Sequence, residues 1–181
     1  DVYVDVPTTS FKPWKEKVQA FQYDPDASFF DLFVPTADTV RMSSVLDTIL
    51  SDGRHALCFG FSGVGKSAVT QGYVKNICKT NPTDFDNTVL SLSAQTNSHN
   101  MQSVLETKLE KKRKTLLGPK GNRRMIFIVD DINLPKPDLY GSQPALELLR
   151  QVIDSGGFYD RKKLFFKAVA KTSFLGTCAP P

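Results

Sequence analysis

Two kinds of apolar pattern alternate along this chain: stripes at helical spacing and short continuous runs. Val40, Val45, Leu46, Ile49 and Leu50 recur as one face of a helix. Asp38 or Thr39 can cap its start, and Gly53 stands just past its end, where a left-handed residue is wanted. Ala56-Leu57-Cys58-Phe59 then reads as a buried strand, and a helix follows to about Cys78, broken by Asn81-Pro82. Thr88 to Ser93 alternates as a second strand. Met101, Val104, Leu105 and Leu109 share one face of an amphipathic helix expected over 99–117 and ended by Gly118-Pro119. Met125 to Val129 is apolar at every position, which predicts a strand buried on both faces. Pro144 to Ile153 predicts a helix stopped by Gly156-Gly157, and a β-rich segment covers 164–178. Strands alternating with helices predict an α/β fold, a parallel sheet between helical layers.

Residues 1–38 break this rhythm. Pro7, Pro13, Pro25 and Pro35 punctuate them, and Phe11, Trp14, Phe21, Tyr23, Phe29, Phe30 and Phe33 recur between the breaks. Prolines at that density exclude a long helix, while the aromatics call for burial. The expectation is an extended, irregular arm over 1–38 laid on another surface, with Trp14 as its anchor, and a core over 39–181.

Composition narrows the classes. Of 181 residues, 40% are hydrophobic and 23% charged, a globular balance. The longest apolar run, Met125 to Val129, is far short of the roughly 20 residues a membrane helix needs, so no membrane partner is expected. A net charge of +4 permits an anionic ligand but argues against a dedicated nucleic-acid surface. Its main basic cluster is Lys111-Lys112-Arg113-Lys114 with Lys108, Lys120, Arg123 and Arg124. That cluster reads as the solvated C-terminal end of the 99–117 helix, where cations suit the dipole, against the alternative of a surface for nucleic acid or an acidic partner. Cys58, Cys78 and Cys178 include no CxxC pair, which excludes a zinc ribbon and leaves reduced thiols. His55 and His99 have no nearby Cys or His partner; His99 reads as a helix start rather than a metal ligand. With no initiator Met, the chain reads as a segment of a longer protein.

The chemistry is carried by Gly60-Phe61-Ser62-Gly63-Val64-Gly65-Lys66-Ser67, which matches the Walker A pattern of a phosphate loop. Glycines let the backbone turn its N–H groups inward on phosphate oxygens, and the following helix offers its positive end to the same anion. Gly60, Ser62, Gly63, Val64, Gly65, Lys66, Ser67 and Ala68 form the expected cradle. Lys66 can reach the β- and γ-phosphates, and the Ser67 hydroxyl can bind Mg²⁺. The strand Met125 to Val129 delivers Asp130-Asp131 at its carboxyl end, as in a Walker B motif. Asp130 is the expected second Mg²⁺ ligand and Asp131 the group that orients or deprotonates the attacking water. Many ATPases of this class have Glu there; Asp is one methylene shorter, a retraction of roughly 1.5 Å.

Further blocks are more specific. Leu32-Phe33-Val34-Pro35-Thr36-Ala37-Asp38-Thr39-Val40-Arg41 precedes the loop, and Leu92-Ser93-Ala94-Gln95-Thr96 lies on the second strand. Asp130-Asp131-Ile132-Asn133-Leu134-Pro135, Tyr140-Gly141-Ser142-Gln143-Pro144 and Glu147-Leu148-Leu149-Arg150-Gln151 follow. Together these resemble the third AAA+ module of a dynein heavy chain, and Asp131 is more similar to axonemal than to cytoplasmic members. The resemblance implies a P-loop NTPase AAA+ large subdomain, ending before the last strand, the polar sensor residue and the helical lid. It implies ATP or ADP with Mg²⁺ as ligands, and Val34, Pro35 and Thr36 beside the adenine. It implies Arg150 on a helix that faces a neighbouring module. Partners implied are the other AAA+ modules of the same chain, intermediate and light chains, and microtubules. The implied location is cytoskeletal, in a ciliary or flagellar axoneme. Three functional readings stand: a slow regulatory ATPase, a nucleotide-binding module without turnover, and a nucleic-acid-dependent P-loop ATPase.

Overall fold

The computed structural model describes residues 1–21, 23, 25 and 32–180, which group into two compact units, Asp1–Thr48 and Ile49–Pro181. Phe29 and Phe30 of the expected arm lie outside the described residues.

The first unit opens with an antiparallel ribbon, β1 (Val2–Asp5) and β2 (Ser10–Pro13), paired from Val2↔Pro13 to Asp5↔Ser10. The irregular arm expected from the prolines is thus a hairpin: Pro7 falls in its turn and Pro13 at its strand end, where a missing N–H does least harm. Asp5 holds the turn, accepting hydrogen bonds from Thr8 Oγ1 (2.5 Å) and Lys12 Nζ (2.5 Å). The Lys12 bond keeps the Asp5 carboxyl below its usual range. A 3₁₀ turn, Trp14–Lys17, follows. Trp14 packs within the ribbon itself, its ring 4.9 Å from that of Tyr3, with Lys17 Nζ 4.0 Å from the Tyr3 ring centroid. Of the arm's described aromatics, Trp14 and Phe33 are half-buried, while Phe11 is 76% exposed and Phe21 and Tyr23 are exposed as well. The two-residue period explains Phe11. It shares a face with Val2 and Val4, opposite the Tyr3, Asp5 and Lys12 face that makes the contacts.

Helix α1 (Ala37–Ser51) starts earlier than its apolar stripe suggests, because Thr36 caps it. Thr36 N–H donates to Thr39 Oγ1 (2.8 Å) and Thr39 N–H to Thr36 Oγ1 (3.3 Å), a reciprocal pair that satisfies two otherwise orphan donors. Its last turn, in the second unit, closes as expected at Gly53. There φ is +77°, and Gly53 N–H and Arg54 N–H reach back to the carbonyls of Leu50 and Ile49.

The second unit is built on a four-stranded parallel sheet of β3 (Ala56–Phe59), β4 (Phe85–Ser91), β7 (Arg124–Asp130) and β10 (Thr172–Cys178), in the order β3-β10-β7-β4. The last strand in the chain therefore enters the middle of the sheet, between the strand before the phosphate loop and the strand bearing the acids. β7 is buried from Met125 to Val129, as its unbroken apolar run predicts. Met125, Phe127 and Val129 face one core cluster with α3 (Ser98–Lys108) and α4 (Pro144–Ser155). α2 (Lys66–Thr80) packs against β4, β7 and β10. That places helices on both faces of the sheet.

The helix expected over 99–117 is corrected. α3 ends at Lys108, and β5 (Glu110–Arg113) and β6 (Leu116–Gly118) follow as a hairpin. Leu109 and Leu116 stand seven residues apart and fit one helix face, but the position between them on that face is Lys112-Arg113. A continued helix would turn those charges toward the core; the hairpin buries Leu109 and Leu117 and leaves 111–114 exposed. The basic cluster is thus not a helix end. Arg123 pairs with Asp86 (2.9 Å), and Arg124 Nη1 donates to the Ser51 carbonyl (2.6 Å). His99 stands in the first turn of α3, at the helix start, and Asn97 is the cap, its Oδ1 accepting from Asn100 N–H (2.9 Å). The β-rich segment divides between sheets. β9 (Phe166–Val169) joins β5, β6 and β8 (Gly157–Tyr159) in a second sheet ordered β5-β6-β9-β8, while β10 completes the first.

Candidate functional site

Parallel strands bring their carboxyl ends to one edge, and ligands of open α/β sheets bind there. At that edge β3 runs into the phosphate loop, β7 into Asp130-Asp131, and β10 ends between them. Gly60 N–H donates to the Cys178 carbonyl (3.2 Å), which ties the root of the loop to β10.

Within the loop, Gly63 and Gly65 have φ of +81° and +84°. Side chains are disfavoured there, so these two glycines are required by the backbone. α2 begins at Lys66 with no side-chain cap on Gly65, which leaves its first N–H groups available to an anion. Ser62 and Val64 lie exposed on the loop, and Ala68 is exposed in the first turn of α2. Lys66 Nζ donates to the carbonyls of Gly60 (2.7 Å) and Phe61 (2.8 Å). The ammonium is thus held over the cradle by acceptors that a phosphate oxygen can replace.

Ser67 and Asp130 are 63 residues apart, yet Ser67 Oγ donates to Asp130 Oδ1 at 2.7 Å. This joins the two candidate metal ligands. Two hard oxygen donors suit Mg²⁺, which keeps most of its shell outside the protein. Among the described residues no group of three or more His, Cys, Asp or Glu forms a cage that could hold a metal alone. Asp131 is exposed and has φ +48°, a left-handed conformation uncommon outside glycine. It turns the chain sharply off β7, closed by Leu134 N–H on the Asp131 carbonyl (3.0 Å).

One residue at this site belongs to neither motif. Thr177, fully buried near the end of β10, donates from Oγ1 to Asp130 Oδ1 (2.5 Å) and accepts from Asp131 N–H (3.0 Å). Its only sequence signal is a hydroxyl in the otherwise apolar Phe174-Leu175-Gly176-Thr177-Cys178.

Other candidates fall differently. Val34, Pro35 and Thr36 belong to the first unit, where Thr36 is engaged in the α1 cap and Val34 is exposed. Arg150 lies on α4 between Glu147 (2.8 Å) and Asp154 (3.1 Å), ion pairs of its own helix that raise its pKa. The three cysteines are free thiols, and burial pushes Cys58 and Cys78 above the usual range.

Comparison with known proteins places the chain in a family. A family model for the P-loop containing dynein motor region matches residues 21–181. Human dynein axonemal heavy chain 6 is 42% identical over 99% of this chain, and human dynein axonemal heavy chain 1 is 38% identical over 93%. The beta chain of the Chlamydomonas reinhardtii flagellar outer arm dynein is 36% identical over 100%. This chain spans 4% of the length of each of these relatives. Among solved structures, a Thermotoga maritima RuvB chain aligns with TM-score 0.48 and 16% identity over 83% of this chain and 41% of that one, too slight a likeness to argue from. With residues 21–181 matched and 42% identity sustained over 99% of its length, the chain belongs to the P-loop containing dynein motor region family.

Proposed function

We propose that this chain is the nucleotide-binding core of a regulatory AAA+ module, the third, of an axonemal dynein heavy chain. It binds Mg-ATP or Mg-ADP. The observation that carries this reading is the 2.7 Å contact of Ser67 Oγ with Asp130 Oδ1, which joins phosphate loop and acid-bearing strand in one site. In it the N–H groups of the loop and the first turn of α2 bind phosphate oxygens, and Lys66 supplies the positive charge. Ser67 and Asp130 would hold Mg²⁺, which neutralises charge on the β- and γ-phosphates when bound. Asp131 would orient a water toward the γ-phosphate and accept the proton the water gives up as it bonds to phosphorus and ADP leaves.

The nucleotide state changes how this module packs on its neighbours in the same heavy chain and so gates a minus-end-directed microtubule motor. The axonemal and flagellar names of the relatives support a place in cilia or flagella. Intermediate and light chains are partners through the whole protein.

Asp131 favours a second reading, in which nucleotide stays bound without turnover. Its carboxylate is one methylene shorter than Glu, and a small misplacement of such a group can lower a rate about 10²-fold. Burst and steady-state phosphate release from the full motor, wild type against Asp131→Asn, separates the two. A slower Asp131→Asn motor supports hydrolysis here; equal rates leave a binding site alone. A nucleic-acid-dependent ATPase requires salt-sensitive oligonucleotide binding, and no mobility shift at low salt dismisses it.

A further inference from the structure

Three hydrogen bonds join Thr177 to successive residues of the acid-bearing turn. Its hydroxyl donates to Asp130 Oδ1 (2.5 Å), the same oxygen accepts from Asp131 N–H (3.0 Å), and its carbonyl accepts from Ile132 N–H (2.9 Å). A hydroxyl has a single proton. With the Asp131 N–H pointing at the oxygen, that proton can only go to Asp130, so the direction of the chain Asp131 N–H to Thr177 O–H to Asp130 carboxylate is set. Asp130 Oδ1 also receives the Ser67 hydroxyl at 2.7 Å, and two donors from different elements hold one carboxylate oxygen in place. The same contact stabilises Asp131 in its left-handed conformation at φ +48°, which fixes where its exposed carboxylate leaves the backbone.

Thr177 has the rigidity for this task. It is fully buried, and β10 is paired with β3 on one side (Thr177↔Cys58) and with β7 on the other (Gly176↔Val129). Its hydroxyl therefore moves only if the centre of the sheet moves.

We propose that Thr177 is a positioning residue of the nucleotide site: its buried hydroxyl aims the Asp130 carboxylate at Ser67 and sets the turn that carries Asp131. This rests on the nucleotide-binding reading above. It acts through the Mg²⁺-dependent part of binding, because its hydrogen bonds go to the acid-bearing turn, at Asp130, Asp131 and Ile132. A hydrogen bond to a charged group is worth about tenfold in an equilibrium constant.

The test is nucleotide affinity in the full heavy chain, with Mg²⁺ and with EDTA, for wild type, Thr177→Val, Thr177→Ser and Lys66→Ala. The signal lost in Lys66→Ala isolates this site. Thr177→Val keeps the shape without the hydroxyl; its affinity in EDTA stays within about twofold of wild type while the enhancement by Mg²⁺ falls about tenfold. Thr177→Ser keeps the enhancement. Full enhancement in Thr177→Val overturns the proposal, as does equal loss in Thr177→Ser, or equal loss with and without Mg²⁺. If Thr177→Val does not fold, Thr177→Cys, a weak donor, takes its place: reduced enhancement supports the proposal and full enhancement overturns it. If Lys66→Ala leaves nucleotide binding unchanged, the nucleotide-site reading fails; if only Thr177→Val behaves as wild type, this inference fails alone.

Discussion

Lys66→Ala separates what the lysine does for the fold from what it does for a ligand. In the structure its ammonium makes two hydrogen bonds, 2.7 Å to the Gly60 carbonyl and 2.8 Å to the Phe61 carbonyl. Both acceptors lie on a loop that water can reach, so losing them costs at most about 1 kcal/mol of stability. For a chain of this size that is a drop of about 2–4 °C in melting temperature. Nucleotide binding exchanges those two neutral acceptors for phosphate oxygens. Bonds from the ammonium to anionic phosphate oxygens pair opposite charges and exceed its bonds to the water-accessible carbonyls by about 1–1.5 kcal/mol each. The net loss in the alanine variant is about 2–3 kcal/mol, or roughly 30- to 150-fold in Kd. Calorimetric titration with Mg-ATP measures the affinity, and a circular-dichroism melt checks the fold. An unchanged affinity at an unchanged melting temperature refutes the assignment of Gly60 to Ser67 as a phosphate site.

Two further predictions concern the sheet that holds the site. Phe127→Ala removes a fully buried ring stacked on Phe174 at 5.3 Å between centroids, and should cost about 3–5 kcal/mol in urea unfolding; a loss under about 1 kcal/mol would place Phe127 outside a packed core. His55 Nδ1 accepts from Phe174 N–H (3.0 Å), and burial lowers its pKa below 6.5. The folded state then binds fewer protons than the unfolded one, so this contribution is present above about pH 6.5 and is lost as pH falls through the folded pKa. Urea midpoints of wild type and His55→Asn should therefore converge from pH 8 to pH 5; a constant gap would show that His55 does not titrate against the fold.

The alternation of strands and helices was legible because each pattern is local. β7 is apolar at five consecutive positions and could be little else but a central strand. The hairpin after α3 was not legible, because Leu109 and Leu116 satisfy a helical stripe and a hairpin equally well. Only the burial of Lys112 and Arg113 that a helix would impose decides between them, and that requires knowing where the core lies. The ribbon at the start is hidden for a related reason. Proline density suggests irregularity, whereas Pro7 and Pro13 occupy a turn and a strand end, places that pairing tolerates.

The candidate site divides along the same line. The phosphate loop is contiguous in sequence, and its left-handed glycines announce themselves by type, so Gly63, Gly65, Lys66 and Ser67 can be proposed from the chain alone. Asp130 needed only one further inference, that its strand ends at the same edge. Thr177 needed two more: that the final strand turns back into the middle of the sheet, and that its register sets Gly176 beside Val129. A one-residue slip would turn the Thr177 hydroxyl to the other face and leave the Asp131 N–H without an acceptor. The residue that joins the two acids is therefore fixed by topology rather than by a motif. It follows that substitutions that shift the register of β10 against β7 should impair the site while every residue of both Walker motifs stays in place.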